Sequence, residues 1–179
     1  MTQTYTGGCA CGAIRYATRH APVFQNHCQC RDCQRRSGTG HGSWLTFPAR
    51  AEMAITGEAT HWEVAGDSGN VKVHAFCPAC GTPVFLRFAA MPELIAVHAG
   101  SLDEPGRFVP QVLTYGVRGP AWDTVDPSLQ AFERMPANQP QPFTAPEVNP
   151  ETSQRCVTRN SSVSGAPARI AVAAKSPQR

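Results

Sequence analysis

The sequence predicts a mostly β protein in a single domain that spans residues 1–136. Short runs of alternating or β-branched apolar residues recur through this region, and glycine, proline and aspartate separate them. The same region lacks long amphipathic helices, internal repeats and a glycine-rich phosphate loop. Closely spaced cysteines recur as well, which indicates that bound metal adds to the stability of a modest core.

The expected elements are short strands and one helix. Arg31–Ser37 is predicted as a helix that ends at Gly38, because glycine commonly follows the last helical residue. The predicted strands are Ala13–Arg19, Val23–His27, Ser43–Phe47, Thr60–Val64, Asn70–Phe76, Pro83–Phe88, Leu94–Ala99 and Gln111–Tyr115. The residues expected to form one core are Ile14, Tyr16, Phe24, Trp44, Phe47, Trp62, Phe76, Phe85, Phe88, Leu94, Ile95, Val97 and Trp122.

The composition changes after residue 136. Residues 137–179 contain six prolines, many serine, threonine, glutamine and alanine residues, and one aromatic residue, Phe143. Such a segment cannot bury enough apolar surface to offset the entropy lost on ordering, so it is predicted to be a disordered tail. Cys156 lies in this tail and is expected to be a free thiol.

The distribution of charge argues against a nucleic-acid-binding core. The chain has 16 basic and 13 acidic side chains, and residues 1–136 hold 11 of each, so the whole excess lies in the tail. A core that binds nucleic acid would need a basic stripe to neutralise phosphates. We therefore expect no nucleic-acid partner.

The cysteines indicate metal binding and a reducing compartment. Seven of the eight lie within residues 9–80, in groups spaced two or three residues apart. This odd number fits a disulfide framework poorly, whereas such groups can share one ion. The N-terminus is polar and has no secretory signal, and no apolar run is long enough to span a bilayer. We expect a cytoplasmic protein with no membrane partner.

Two cysteine pairs are candidates for a closed structural site. Cys9 and Cys11 are two residues apart, so in an extended chain both sulfurs point to one side. Cys77 and Cys80 are three apart, with proline between them and Gly81 after them, as in a tight metal-binding turn. Four thiolates are a usual zinc set; an iron–sulfur cluster fits less well, because the repeated runs of ferredoxins are missing. Buried cysteines without metal are the remaining alternative.

The middle motif, Cys28, Cys30 and Cys33, supplies only three thiolates. Three protein ligands and an open position are typical of a catalytic zinc site. A thiol that entered the open position would be bound as a reactive thiolate. The alternatives are that His27, His41 or another side chain closes the site, or that the seven cysteines divide differently, for example with Cys28 and Cys30 in a four-cysteine site. Arg31 and Arg35, and also Arg36, could attract a carboxylate of the ligand.

The motifs together resemble the family of glutathione-dependent formaldehyde-activating enzymes, whose relatives include the centromere protein V-like proteins. The resemblance covers roughly residues 5–133. The matching segments are 8–12, 28–38 and 77–81, the run Gly100-Ser101-Leu102-Asp103-Glu104-Pro105, and Gly119-Pro120-Ala121-Trp122.

The resemblance implies a β-tent zinc fold with two zinc ions per chain. Cys9, Cys11, Cys77 and Cys80 would bind a structural zinc, and Cys28, Cys30 and Cys33 a second zinc at which glutathione engages. The implied activity joins glutathione to formaldehyde, formally a carbon–sulfur lyase reaction run in reverse. Many relatives have histidine where this chain has Gln29, and glutamine cannot shuttle a proton.

Other polar and aromatic residues are given structural interpretations. His98 is expected to be a strand histidine, Asp103 a turn residue, and Trp44 and Trp62 core or sheet-face residues. Ser37 has no partner pattern for a serine nucleophile. Two functions compete with catalysis: a zinc-stabilised binding module, and a thiol-based redox or metal-buffering protein. The oligomeric state is not predicted.

Overall fold

The computed structural model describes residues 4–136, so the predicted tail and Cys156 lie outside the described residues and the domain boundary at residue 136 stays a prediction. No helix within the described residues is long and apolar enough to cross a membrane. The strands are β1 Tyr5–Gly8, β2 Arg15–Thr18, β3 Phe24–Cys28, β4 Gly42–Phe47, β5 Ala54–Thr56, β6 Thr60–Ala65, β7 Val71–Phe76, β8 Pro83–Phe88, β9 Met91–His98, β10 Val112–Thr114 and β11 Gln130–Ala131. The α-helix is α1, Arg31–Ser37, and short 3-10 helices cover Arg50–Glu52, Ala99–Ser101, Pro105–Arg107 and Gly116–Arg118.

The strands form two sheets, which confirms the mostly β fold class. The smaller sheet has the order β1-β2-β5, and the larger has the order β11-β10-β3-β4-β9-β8-β7-β6. Most neighbours are antiparallel, whereas β10 runs parallel to both β3 and β11. The parallel pair places Thr114 of β10 opposite Cys28 of β3, next to the middle cysteine motif.

The predicted elements match the observed ones closely. All eight predicted strands are present, with ends shifted by at most three residues, and the helix has the predicted bounds. Gly38 ends α1 in the left-handed conformation, and its N–H bonds to the carbonyl of Gln34. Strands β1, β5 and β11 were not predicted. They have two to four residues, and β1 contains two glycines, so none carries a strong apolar pattern.

The prediction of one core was wrong, because the large sheet buries both of its faces. Successive side chains in a strand point to opposite faces. On one face, Leu45, Phe47 and Ile95 pack in a buried cluster that also contains residues of β2 and the loop before it. On the other face, alternate residues such as Trp44 and Ala96 pack with the three cysteines of the middle motif.

Two tryptophans predicted for the core are exposed instead. Trp62 is 46% exposed because β6 is the edge strand of the large sheet, and its ring stacks on His74 with a centroid distance of 5.7 Å. Trp122 is 70% exposed in a turn between β10 and β11. Trp62 thus lies on a sheet face and Trp44 is buried in the core. Both positions agree with the expectation that these two residues are core or sheet-face residues.

Candidate metal centres and adjoining pocket

Four cysteine sulfurs meet where two turns approach each other. The Sγ atoms of Cys9 and Cys11 are 3.5 Å apart, those of Cys11 and Cys77 are 3.7 Å apart, and all four, with Cys80, lie within 4.8 Å of one another. In a tetrahedral site with Zn–S bonds of about 2.3 Å, neighbouring sulfurs are about 3.8 Å apart. The observed spacing and donor set therefore fit a tetrahedral soft metal ion.

Local backbone geometry holds these sulfurs in place. Each pair is followed by a glycine with positive φ, Gly12 at 78° and Gly81 at 72°, a conformation that favours glycine. The N–H groups of these glycines bond back to the carbonyls of Cys9 and Cys77, which closes the two turns. The N–H of Ile14 donates to Sγ of Cys9 at 3.2 Å, an interaction that stabilises thiolate.

The four-cysteine cluster connects the two sheets. Cys9 and Cys11 belong to the β1–β2 turn of the small sheet, whereas Cys77 and Cys80 belong to the β7–β8 turn of the large sheet. Other polar contacts also join the small sheet to the rest, among them a hydrogen bond of 2.9 Å between Tyr16 Oη and Ser101 Oγ and an ion pair between Arg15 and Asp103. A metal ion at this cluster would add a further link between the two sheets.

The middle cysteines form a second, smaller cluster. Cys28 ends β3, Cys30 is the N-cap of α1, and Cys33 lies in the first turn of α1. Their sulfurs lie within 4.8 Å of one another and all three residues are buried. No histidine, aspartate or glutamate among residues 4–136 joins this group. The structure therefore brings together the three predicted ligands and leaves a fourth position without a described ligand.

The two histidines that could have closed this site face other partners. Nδ1 of His27 is 2.9 Å from the hydroxyl of Ser43, and burial lowers the pKa of His27 to about 4. Nδ1 of His41 is 2.9 Å from the carboxylate of Asp123. Neither histidine belongs to the three-cysteine group.

The protonation of the three thiols is strongly interdependent. Hydrogen bonds from Cys28 and Cys33 lower the pKa of Cys30 to about 2, and the same contact with Cys30 raises the pKa of Cys28 to about 11. One sulfur is therefore readily ionised, but three negative charges cannot lie this close without a cation. This donor set fits a soft divalent ion that neutralises several thiolates.

A pocket opens beside the three-cysteine cluster. It has a volume of about 60 Å³, and alternate residues of five neighbouring strands, β3, β4, β7, β8 and β9, line it together with Cys28, Cys30 and Cys33. Its wall is largely apolar, with Phe24, Trp44, Leu86, Phe88, Leu94 and Ala96 among the lining residues. The side chains come from the face of the large sheet that packs against the cysteines.

Among the pocket residues that were not predicted from the sequence, two are basic. Lys72 and His74 lie two apart on β7, so they share the face that lines the pocket. His74 is 2% exposed, and burial, with a further contribution from Arg36, lowers its pKa to about 3. Both residues lie at alternate positions of a predicted strand, and His74 is three residues before Cys77. This pattern could have identified them from the sequence.

Gln29 points away from the pocket. Its side chain is buried, and Nε2 donates to the carboxylate of Asp123 at 3.0 Å. Burial raises the pKa of the Asp123 carboxyl, but hydrogen bonds from Gln29 and His41 outweigh this effect and hold the pKa below its usual value. Position 29 therefore lies in a buried network that ties the cysteine loop to the segment after β10.

Replacing Asp123 by alanine is expected to destabilise the fold by about 1–3 kcal/mol, because it leaves the buried amide of Gln29 and the half-buried ring of His41 without this partner. The change in unfolding free energy can be measured by urea denaturation. The control is Asp67→Ala, which removes a more exposed ion pair with Arg118 and is expected to cost less than about 1 kcal/mol. Equal effects of the two variants would contradict this interpretation.

The remaining candidates lie outside the pocket. Arg31 and Arg35 are exposed on α1; Arg31 donates to the side-chain oxygen of Gln34. Neither lines the pocket, so their contact with a carboxylate stays a prediction. The ring of His98 lies 3.8 Å from that of Trp44, and Asp103 pairs with Arg15. Ser37 lies at the end of α1, with its hydroxyl 3.2 Å from that of Thr39.

Comparison with known proteins identifies the family. The family model described as "Glutathione-dependent formaldehyde-activating enzyme" matches residues 4–118, which is more than half of the chain and contains both cysteine clusters. A crystal structure of a Rhodobacter sphaeroides protein is 21% identical to this chain, with a TM-score of 0.42; the match covers 55% of this chain and 87% of that chain. By the family match, this chain belongs to the family of glutathione-dependent formaldehyde-activating enzymes.

Proposed function

We propose that the protein joins a small thiol such as glutathione to formaldehyde or another small aldehyde, a carbon–sulfur lyase reaction run in reverse. The observation that carries the proposal is the group of three buried cysteines without a fourth described ligand, placed against a pocket. The family match supports glutathione and formaldehyde as the reactant classes. We place the reaction in the cytoplasm, where thiols stay reduced.

We further propose two zinc ions per chain. Cys9, Cys11, Cys77 and Cys80 would hold a structural ion, since four sulfurs complete a tetrahedron. Cys28, Cys30 and Cys33 would hold the second ion and leave one coordination position open. A zinc ion held there would lower the pKa of a thiol that enters the open position.

The protein's own residues would prepare the reactants for addition. The apolar wall of the pocket limits the access of water, and His74 offers an imidazole that is neutral at pH 7 for a hydrogen bond to the aldehyde oxygen. In the addition, sulfur bonds to the carbonyl carbon, the π bond of the C=O group breaks, and the thiol proton ends on the oxygen. The product is a thiohemiacetal, and no oxidant is required.

The direct test measures adduct formation with the purified, metal-loaded protein. Glutathione and formaldehyde also form the adduct without a catalyst, so exchange NMR compares the rates with and without protein. We expect a rate above the uncatalysed background that increases in proportion to protein concentration. A rate equal to the background, at full metal loading, would contradict catalysis and favour a zinc-stabilised binding module.

A further inference from the structure

The wall of the pocket does not match the charge of glutathione. Of the described residues that line it, Lys72 is the only cation and Asp32 the only carboxylate. Glutathione carries two carboxylates and one ammonium group, and burying a charged group without a partner is strongly unfavourable. The charged groups of glutathione therefore have few partners inside the pocket. The apolar wall must contact the other reactant.

Formaldehyde does not match this wall either. It has a single carbon atom and no apolar substituent, so it would leave most of the wall in contact with water. The apolar side chains that line the pocket include Phe24, Phe88, Met91, Leu94 and Met135. Burial of such apolar surface lowers the free energy of binding only when the ligand that covers it is also apolar.

His74, which lines the pocket, also has an unsatisfied polar atom. Nδ1 of His74 is buried and has no hydrogen-bond partner among the described residues. Buried polar atoms are usually hydrogen-bonded, and exceptions are common at functional sites. A carbonyl oxygen on an otherwise apolar ligand could accept a hydrogen bond from this atom in the imidazole tautomer that carries the proton on Nδ1.

The pocket is small, with a volume of about 60 Å³, so a ligand that covers its wall is a short one.

From these observations we propose that the aldehyde substrate is a short, unbranched aliphatic aldehyde, such as pentanal, whose chain occupies this pocket. The proposal rests on the proposed function and specifies its second substrate. The addition is the same as for formaldehyde: the thiol sulfur bonds to the carbonyl carbon, and the thiol proton ends on the oxygen. The thiol itself approaches from the cysteine cluster with its charged groups outside the pocket.

Binding is tested separately from catalysis with an unreactive analogue. Pentanamide has the length of the proposed substrate, and formamide is the matched control without the alkyl chain. Calorimetric titration of the metal-loaded protein should give an affinity for pentanamide at least tenfold above that for formamide. Equal affinities, or no binding of pentanamide, would overturn the proposal.

A pair of variants locates the binding. Leu94→Gln places a polar group in the wall, and we expect about a tenfold loss of pentanamide affinity. Val117→Gln is the control, since Val117 is 65% exposed and does not line the pocket; its affinity should be unchanged. Equal effects of both variants would overturn the location.

Kinetics then separate this proposal from the general function. Relative to the uncatalysed rate, the protein should accelerate the addition of glutathione to pentanal more than the addition to formaldehyde. Pentanamide should not compete with glutathione. If only the addition to formaldehyde were accelerated, the proposed function would stand and the aliphatic substrate would be overturned. Competition between pentanamide and glutathione would also overturn the aliphatic substrate. Binding of pentanamide without acceleration of either aldehyde would support the pocket and contradict the function.

Discussion

The Cys77→Ser protein is expected to lose its stable fold. Cys77 is fully buried, and its sulfur lies 3.7 Å from that of Cys11, which belongs to the other sheet. Structural zinc contributes about 10–16 kcal/mol in small domains, whereas a whole domain is stable by only about 5–15 kcal/mol. Loss of one ligand therefore removes an energy comparable to the total stability.

The measurement combines thermal unfolding followed by circular dichroism with metal analysis. We expect no cooperative transition for Cys77→Ser and a lower metal content per chain. Cys80→Ser, at an exposed position of the same cluster, should retain more structure but melt at a lower temperature than the natural protein. Cys156→Ser, a cysteine-to-serine change in the segment that the sequence predicts to be a disordered tail, is the control and should leave both quantities unchanged. A normal transition and full metal content in Cys77→Ser would contradict a structural role for the cluster.

The second large effect is expected from Cys30→Ser, which should abolish adduct formation while the protein stays folded. Cys30 is the N-cap of α1, and its sulfur accepts a hydrogen bond from the N–H of Cys33 at 3.5 Å. Serine is a preferred N-cap residue, so the start of the helix should be preserved. The cluster, however, would keep only two thiolates, which is too few to hold an ion firmly.

The expected result is a loss of one metal ion per chain and a decrease of at least about 100-fold in the catalysed rate. The circular dichroism spectrum should be unchanged, and Cys156→Ser is again the control. A Cys30→Ser protein that kept the natural rate after losing this metal would place the catalytic site elsewhere. A Cys30→Ser protein that unfolded would give the cluster a structural role, contrary to the prediction.

The sequence was most informative where neighbouring residues determine the structure. The bounds of α1 were predicted because they depend on a nearby glycine and on the few residues before it. The three cysteine groups were recognised because ligands two or three residues apart can share an ion whatever the rest of the chain does. The strands between Val71 and Phe88 were predicted for the same reason, since each has its own apolar pattern.

Contacts between distant residues could not be predicted in this way. Trp62 lies in a strand of the expected kind, but only the order of the sheet places that strand at the edge and leaves the ring exposed. Gln29 neighbours two cysteines in sequence, yet its side chain bonds to Asp123, which lies 94 residues away. The pairing of β10 with β3 is parallel and likewise joins distant segments.

By itself, then, the sequence determined the strand-rich class, the helix and the groups of closely spaced cysteines, since spacing and alternation encode them locally. Tertiary structure decided which cysteines meet: it joins Cys9 and Cys11 to Cys77 and Cys80 across two sheets and leaves the other three as a separate group. It also decided that alternate residues of five strands form an apolar pocket beside those three cysteines. The physical reason is that each strand specifies only which side chains share a face, whereas the pairing of strands determines what that face contacts.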